Sequence, residues 1–118
     1  MPEANKEEAR NFLREFRRLA SSTGIFLVDT EKTDRTLVQL GLTRKICKEE
    51  IRGLSVLDYA SGPQPDINKP GEIWVFGKRI EGYEIYMKLK IARGKARDHA
   101  ICLSFHIAER PLDHPFQP

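Results

Sequence analysis

The hydrophobic period of this chain changes once, from 3.6 residues to 2, and that switch confines the fold to helices first and sheet last. In residues 7–20, Ala9, Phe12, Leu13, Phe16 and Leu19 recur at intervals of three and four, forming one stripe on an amphipathic helix. From residue 72 onward, the stretches EIWVFG, YEIYMKLKI and HAICLSFHI follow strand periods instead. KRIEG and ARGKARD supply short connections, so an antiparallel meander is the expected topology. The order is that of an α+β domain, with N-terminal helices packed on one face of a small, mainly antiparallel β-sheet.

Between these two regions the punctuation is local. Residues 21–24 break the first helix, and GIFLVD reads as a short strand or an extended connection. Thr33 or Asp34 is the expected cap of a short helix running through Leu40, with Gly41 as its stop. Thr43 is the expected cap of another, from Arg44 to Arg52, presenting Ile46, Cys47 and Ile51 inward and ending at Gly53. Three prolines and two glycines in ASGPQPDINKPG make residues 60–71 an expected loop. The chain of 118 residues is therefore read as one domain. Its helical part covers about 5–53, its sheet about 72–107, and a proline-rich tail 108–118 is fastened by Leu112 and Phe116.

Composition narrows the function classes. Apolar residues at 40% against 31% charged fit a soluble globular chain. No apolar run approaches the ~20 residues of a membrane span, and MPEANKEEA lacks the blocks of a signal peptide, so a cytoplasmic location and no membrane partner are expected. Cys47 and Cys102 stand apart with no CxxC and no Cys/His cluster, which points to neither a zinc site nor a disulfide framework. Both read as small hydrophobes. Arg10, Arg14 and Arg18 form a ladder on the far side of the first helix, a solvated face in the preferred reading and an anion-binding one in the other. Trp74 and Phe76 read as core.

The strand periods place chemistry on one side of the sheet. In YEIYMKLKI, Ile85, Met87, Leu89 and Ile91 face inward, leaving Glu84, Tyr86, Lys88 and Lys90 outward. In HAICLSFHI, Ile101, Leu103, Phe105 and Ile107 are expected inward, leaving Ala100, Cys102, Ser104 and His106 outward. If these strands pair, Tyr86, Lys88, Lys90, Ser104 and His106 share one open surface. Each alone is commonly a solvated residue; their convergence is what suggests a site. The face carries no carboxylate pair, no HExxH, no glycine-rich phosphate loop and no GxSxG elbow. Metal-free, cofactor-free cleavage of RNA fits this set, since it needs a proton acceptor for the ribose 2′-hydroxyl, a cation for the phosphorane and a donor for the departing 5′-oxygen. His106 and Tyr86 are the expected acid-base pair, with the Lys88 ammonium lowering the phenol's pKa and clamping phosphate. Lys90 and the hairpin residues Arg93, Lys95 and Arg97 are expected to hold RNA. A non-catalytic module that binds RNA, a ribosome or a protein through the same basic face is the competing reading.

The motifs LGLT (40–43), IRGLSVLDY (51–59), IWVFG (73–77), EIYMKLKI (84–91) and ICLSFH (101–106) together resemble, in order, the MqsR-like toxins of bacterial type II toxin-antitoxin systems. The resemblance spans residues 36–106 and rests on order and spacing. It implies a RelE-like α+β fold, an endoribonuclease acting on free or ribosome-bound mRNA to inhibit translation, and a cognate antitoxin as partner. The family's YxK strand falls on Tyr86 and Lys88. Three further family positions, a lysine after the LSxxD element, a glutamine after the tryptophan and a lysine after the SF pair, read Ser61, Val75 and His106 here.

Overall fold

The computed structural model describes residues 3–118. Helix α1 (Lys6–Thr23) opens on a capping box in which the Asn5 side chain accepts from the Glu8 N–H and Glu8 accepts from the Asn5 N–H. Strand β1 (Ile25–Leu27), helix α2 (Glu31–Leu40) and helix α3 (Arg44–Arg52) follow, then a 3-10 turn (Val56–Asp58) and strands β2 (Tyr59–Pro65), β3 (Glu72–Ile80), β4 (Tyr83–Ala92) and β5 (His99–Ile107). The five strands form one sheet in the order β1-β5-β4-β3-β2, antiparallel throughout except for the parallel β1–β5 pair. The α+β class and the β3-β4-β5 meander match the sequence reading. No helix among the described residues is long and apolar enough to cross a membrane.

One face of the sheet carries the core. Phe12 of α1 stacks on Trp74 with ring centroids 4.6 Å apart and lies 6.0 Å from Phe76, while Tyr59 meets both rings edge-on. Ile85, Met87, Leu89 and Phe105 are buried beneath this layer with Phe16 and Leu13. The free thiols Cys47 and Cys102 lie here too; burial pushes the Cys47 thiol up to about 12 and Cys102 higher still, so both stay protonated and act as small hydrophobes.

Four local expectations change. Thr30, in extended backbone, caps α2 by accepting from the Thr33 N–H, one turn before the expected Thr33 or Asp34. Thr33 is instead fully buried, its hydroxyl accepting from the Phe105 N–H at 3.0 Å, and Thr36 does the same for Ile107 at 3.3 Å. Thus β1 covers the upper edge of β5 and two threonine hydroxyls of α2 satisfy the lower edge, where a strand would otherwise be needed. Ile46 is 39% exposed, because Cys47 and Ile51 already fill the inward side of α3. Residues 59–65 form a strand within the expected loop; it is the outermost strand of the sheet, with two register shifts against β3, and an edge tolerates prolines that donate no hydrogen bond.

The remaining correction concerns β5. Its register against β4 shifts at Leu103: Leu89 pairs with Cys102, but Lys88 pairs with Ser104. This bulge reverses the alternation once. Ala100 and Cys102 therefore face the core and Ile101 the open side, opposite to the sequence reading, whereas Ser104, Phe105 and His106 lie as expected.

The open face is covered at both ends. At the upper end, residues 66–71 fold over β4, and the Lys90 ammonium reaches Asp66 at 2.7 Å with both side chains under 10% exposed. Lys90 is thereby withdrawn from the RNA-contacting set expected from sequence. The Asp66 carboxyl is held below the usual carboxylate range, chiefly by the Lys90 hydrogen bond and also by the Asn68 N–H. A depressed carboxylate stabilises the fold above its unfolded pKa and loses that contribution as pH falls through the folded value. Lys90→Met is accordingly expected to lower Tm by about 5–10 °C at pH 7. That deficit should narrow below about pH 4, as thermal melts across pH will read.

At the lower end the tail crosses β4 and β3. Glu84 accepts from the Leu112 N–H at 2.9 Å and lies 3.2 Å from His114, and Phe116 stacks on Tyr59 at 4.9 Å. Leu112 presses on Gly77, where an added Cβ would run into both Leu112 Cδ1 and the Ile85 carbonyl oxygen. Leu112 and Phe116 thus fasten the tail, as expected from the sequence.

Candidate functional site

Between the two covers lies an open cleft of about 480 Å³ lined by Tyr86, Lys88 and His106 from the sheet, Lys32 from α2, and the tail from Ala108 to Leu112. Register explains the convergence. Tyr86 is opposite His106, and their rings stack with centroids 5.0 Å apart and planes inclined by 23°. Lys88 is opposite Ser104 on one side and Val75 on the other, and Val75 pairs in turn with Ser61. Ser61, Val75, Lys88 and Ser104 therefore form one row across four strands, with Gly77, Tyr86 and His106 in the row below.

The His106 ring is oriented by its neighbour: Nδ1 lies 2.9 Å from the Ile107 carbonyl oxygen. A carbonyl only accepts, so Nδ1 carries the hydrogen and, in the neutral ring, Nε2 holds the free lone pair. The half-buried Tyr86 phenol is pushed above its ordinary value by burial, with no offsetting contribution from Lys88. This reverses the sequence expectation that the ammonium would lower it; the cause is desolvation of the phenolate on burial. Tyr86 is a proton donor at neutral pH. Lys88 is half-buried and has no carboxylate partner among the described residues.

Sequence reasoning missed two further cations at the rim. Lys32 bonds Glu109 at 3.1 Å, and Arg110 follows on the tail. The Glu109 carboxyl is held below the usual range by the Lys32 hydrogen bond first, then by the Lys32, His106 and Arg110 charges. Thr33 and Thr36 fix α2 against β5, which is what aims Lys32 here; no periodic signal in the sequence carries that information.

The expected RNA-holding loop lies elsewhere. Lys95 and Arg97 are exposed in the β4–β5 hairpin, at the opposite end of the strands, about 20 Å from Tyr86 at the ordinary rise per residue. Arg93 is engaged by Glu15 at 2.6 Å and Asp98 at 2.8 Å. It fastens the hairpin to α1, so its charge is already compensated.

Chemically the cleft offers an imidazole whose Nε2 faces no protein acceptor, a phenol that keeps its proton, and an ammonium with no carboxylate partner among the described residues, on adjacent positions of the sheet. Set against family models, curated proteins and solved structures, this chain matches none of them.

Proposed function

We propose that this protein is a metal-independent endoribonuclease of the MqsR-like toxin type, cutting mRNA and so inhibiting translation, with a cognate antitoxin as its natural restraint. The observation that carries the reading is the stacked Tyr86–His106 pair beside the unpartnered Lys88 in one cleft. In this reaction His106 Nε2 takes the proton of a ribose 2′-hydroxyl, and the 2′-oxygen forms a bond to phosphorus. The bond from phosphorus to the 5′-oxygen breaks, and the Tyr86 phenol donates its proton to that oxygen. A 2′,3′-cyclic phosphate and a 5′-hydroxyl result. Lys88 balances the charge gathering on the phosphorane, and Arg110, beside the Lys32–Glu109 pair, attracts the flanking phosphates.

The corrected protonation order suits this division of labour, because a phenol that keeps its proton is a better acid than base. Incubating the purified protein with RNA, with and without ribosomes, is expected to give fragments ending in 2′,3′-cyclic phosphate. Tyr86→Phe, which keeps the ring stack and removes only the proton, is expected to slow cutting by about 10²-fold or more. Intact RNA under every condition would refute the nuclease reading.

One observation favours a second reading. Val75 sits beside Lys88 in the cross-strand row, where the resembled family places a glutamine, so the row is less polar than a fully equipped nuclease would have. Tight RNA binding without cleaved ends would identify a non-catalytic RNA-binding module on the same face.

A further inference from the structure

Ile25 and Leu27 are buried in the core, yet Phe26 between them is 64% exposed. Alternation directs its ring to the open side of the sheet, the side that carries the cleft. The β1–β5 register sets Phe26 beside Ile101, whose own partner is Lys90. The bulge at Leu103 is what turns Ile101 to this face, so the apolar surface beside Phe26 is a product of the same irregularity that keeps His106 outward. From His106 up β5 to the level of Phe26 is about 15 Å at the usual strand rise. The surface between them is bounded on one flank by residues 66–71, held down through Asp66 and Lys90.

A single exposed apolar side chain is commonplace on a protein surface, so what gives Phe26 its meaning is the charge farther along the same face. The cleft farther along this face carries Lys32, Lys88 and Arg110 against Glu109 alone, which suits a polyanion with flat apolar bases. We infer that Phe26 is a base-stacking subsite for single-stranded RNA, holding the base of a nucleotide removed from the scissile linkage while Lys88 and His106 engage the linkage itself. The inference rests on the nuclease reading of the cleft and adds a binding determinant to it. Because a ring face stacks on any base, the subsite contributes affinity and register more than base identity.

The test measures binding of a fluorescein-labelled single-stranded RNA of about 12 nucleotides by anisotropy, in a His106→Ala background so that the RNA survives. Phe26→Ala is expected to weaken binding by about 5- to 100-fold, and Phe26→Trp to retain it. A set of RNAs each lacking one base should contain one member whose loss weakens the Phe26 protein but not Phe26→Ala, a coupling that a merely structural role for Phe26 would not produce. If the wild-type protein cuts RNA and Phe26→Ala binds and cuts it equally well, the subsite is wrong while the nuclease reading stands. If the wild type neither binds nor cuts RNA, the reading of the cleft itself has failed. If Phe26→Ala leaves RNA affinity unchanged but alters the sedimenting mass, the face is a contact between copies of the chain, and the inference is overturned.

Discussion

His106→Ala is expected to lower the single-turnover rate of RNA cleavage by about 10²- to 10⁴-fold while leaving the fold in place. His106 sits near the end of β5 on the solvent side of the sheet, and only its stack on Tyr86 and its Nδ1 bond to the Ile107 carbonyl are lost. Such a stack contributes about 0.5–1.5 kcal/mol, a small part of a domain's stability. The backbone of β5 is held independently by Thr33 and Thr36. The chemistry has no such substitute. Among the titratable groups lining the cleft, Lys32, Lys88 and Arg110 are cations, Glu109 is tied to Lys32, and the Tyr86 phenol keeps its proton, so no other side chain is placed to accept one. Paired measurements of rate and thermal midpoint separate the two contributions. A rate within a few-fold of wild type at unchanged Tm would remove His106 from the role of base.

How far the sequence disclosed this arrangement depended on the range of the interaction involved. The stripe of α1, the Thr43 cap of α3 and the alternation of β4 are set by contacts between neighbours, and the sequence period carries them directly. Tyr86 and Lys88 were legible for the same reason. The bulge at Leu103 was not, since nothing in HAICLSFHI marks a residue that will be skipped; the reading of His106 as outward held because it lies beyond the irregularity, and the reading of Ala100 and Cys102 failed because they lie before it. Lys90 alternates correctly yet is buried, because residues far from it in sequence close over it with Asp66. Arg93 looked like a nucleic-acid contact until α1 placed Glu15 within reach. Long-range pairing cancels charge that a local count leaves standing. The polar rim of the cleft was missed for the converse reason, as Lys32 and Arg110 meet only through the tail and α2.

Phe12→Ala is expected to destabilise the protein by about 3–5 kcal/mol, enough to lower Tm by about 10–20 °C. The ring is the hub of the aromatic layer, stacked on Trp74 at 4.6 Å and near Phe76 and Phe16 at 6.0 and 5.8 Å, so its removal leaves a cavity bounded by rigid rings that cannot collapse to fill it. Against a typical total of about 5–15 kcal/mol this is roughly a fifth or more of the stability. The effect on chemistry should be different in kind. Phe12 packs on the helix-covered face, whereas Tyr86, Lys88 and His106 project from the other, and the β4–β5 register that aligns them is fixed by backbone ladder bonds rather than by α1. Cleavage per folded molecule, measured well below the lowered Tm, should therefore equal that of wild type. A rate that falls further than the folded fraction would show that the aromatic layer controls the geometry of the opposite face, and would end the division between a face that stabilises the sheet and a face that works.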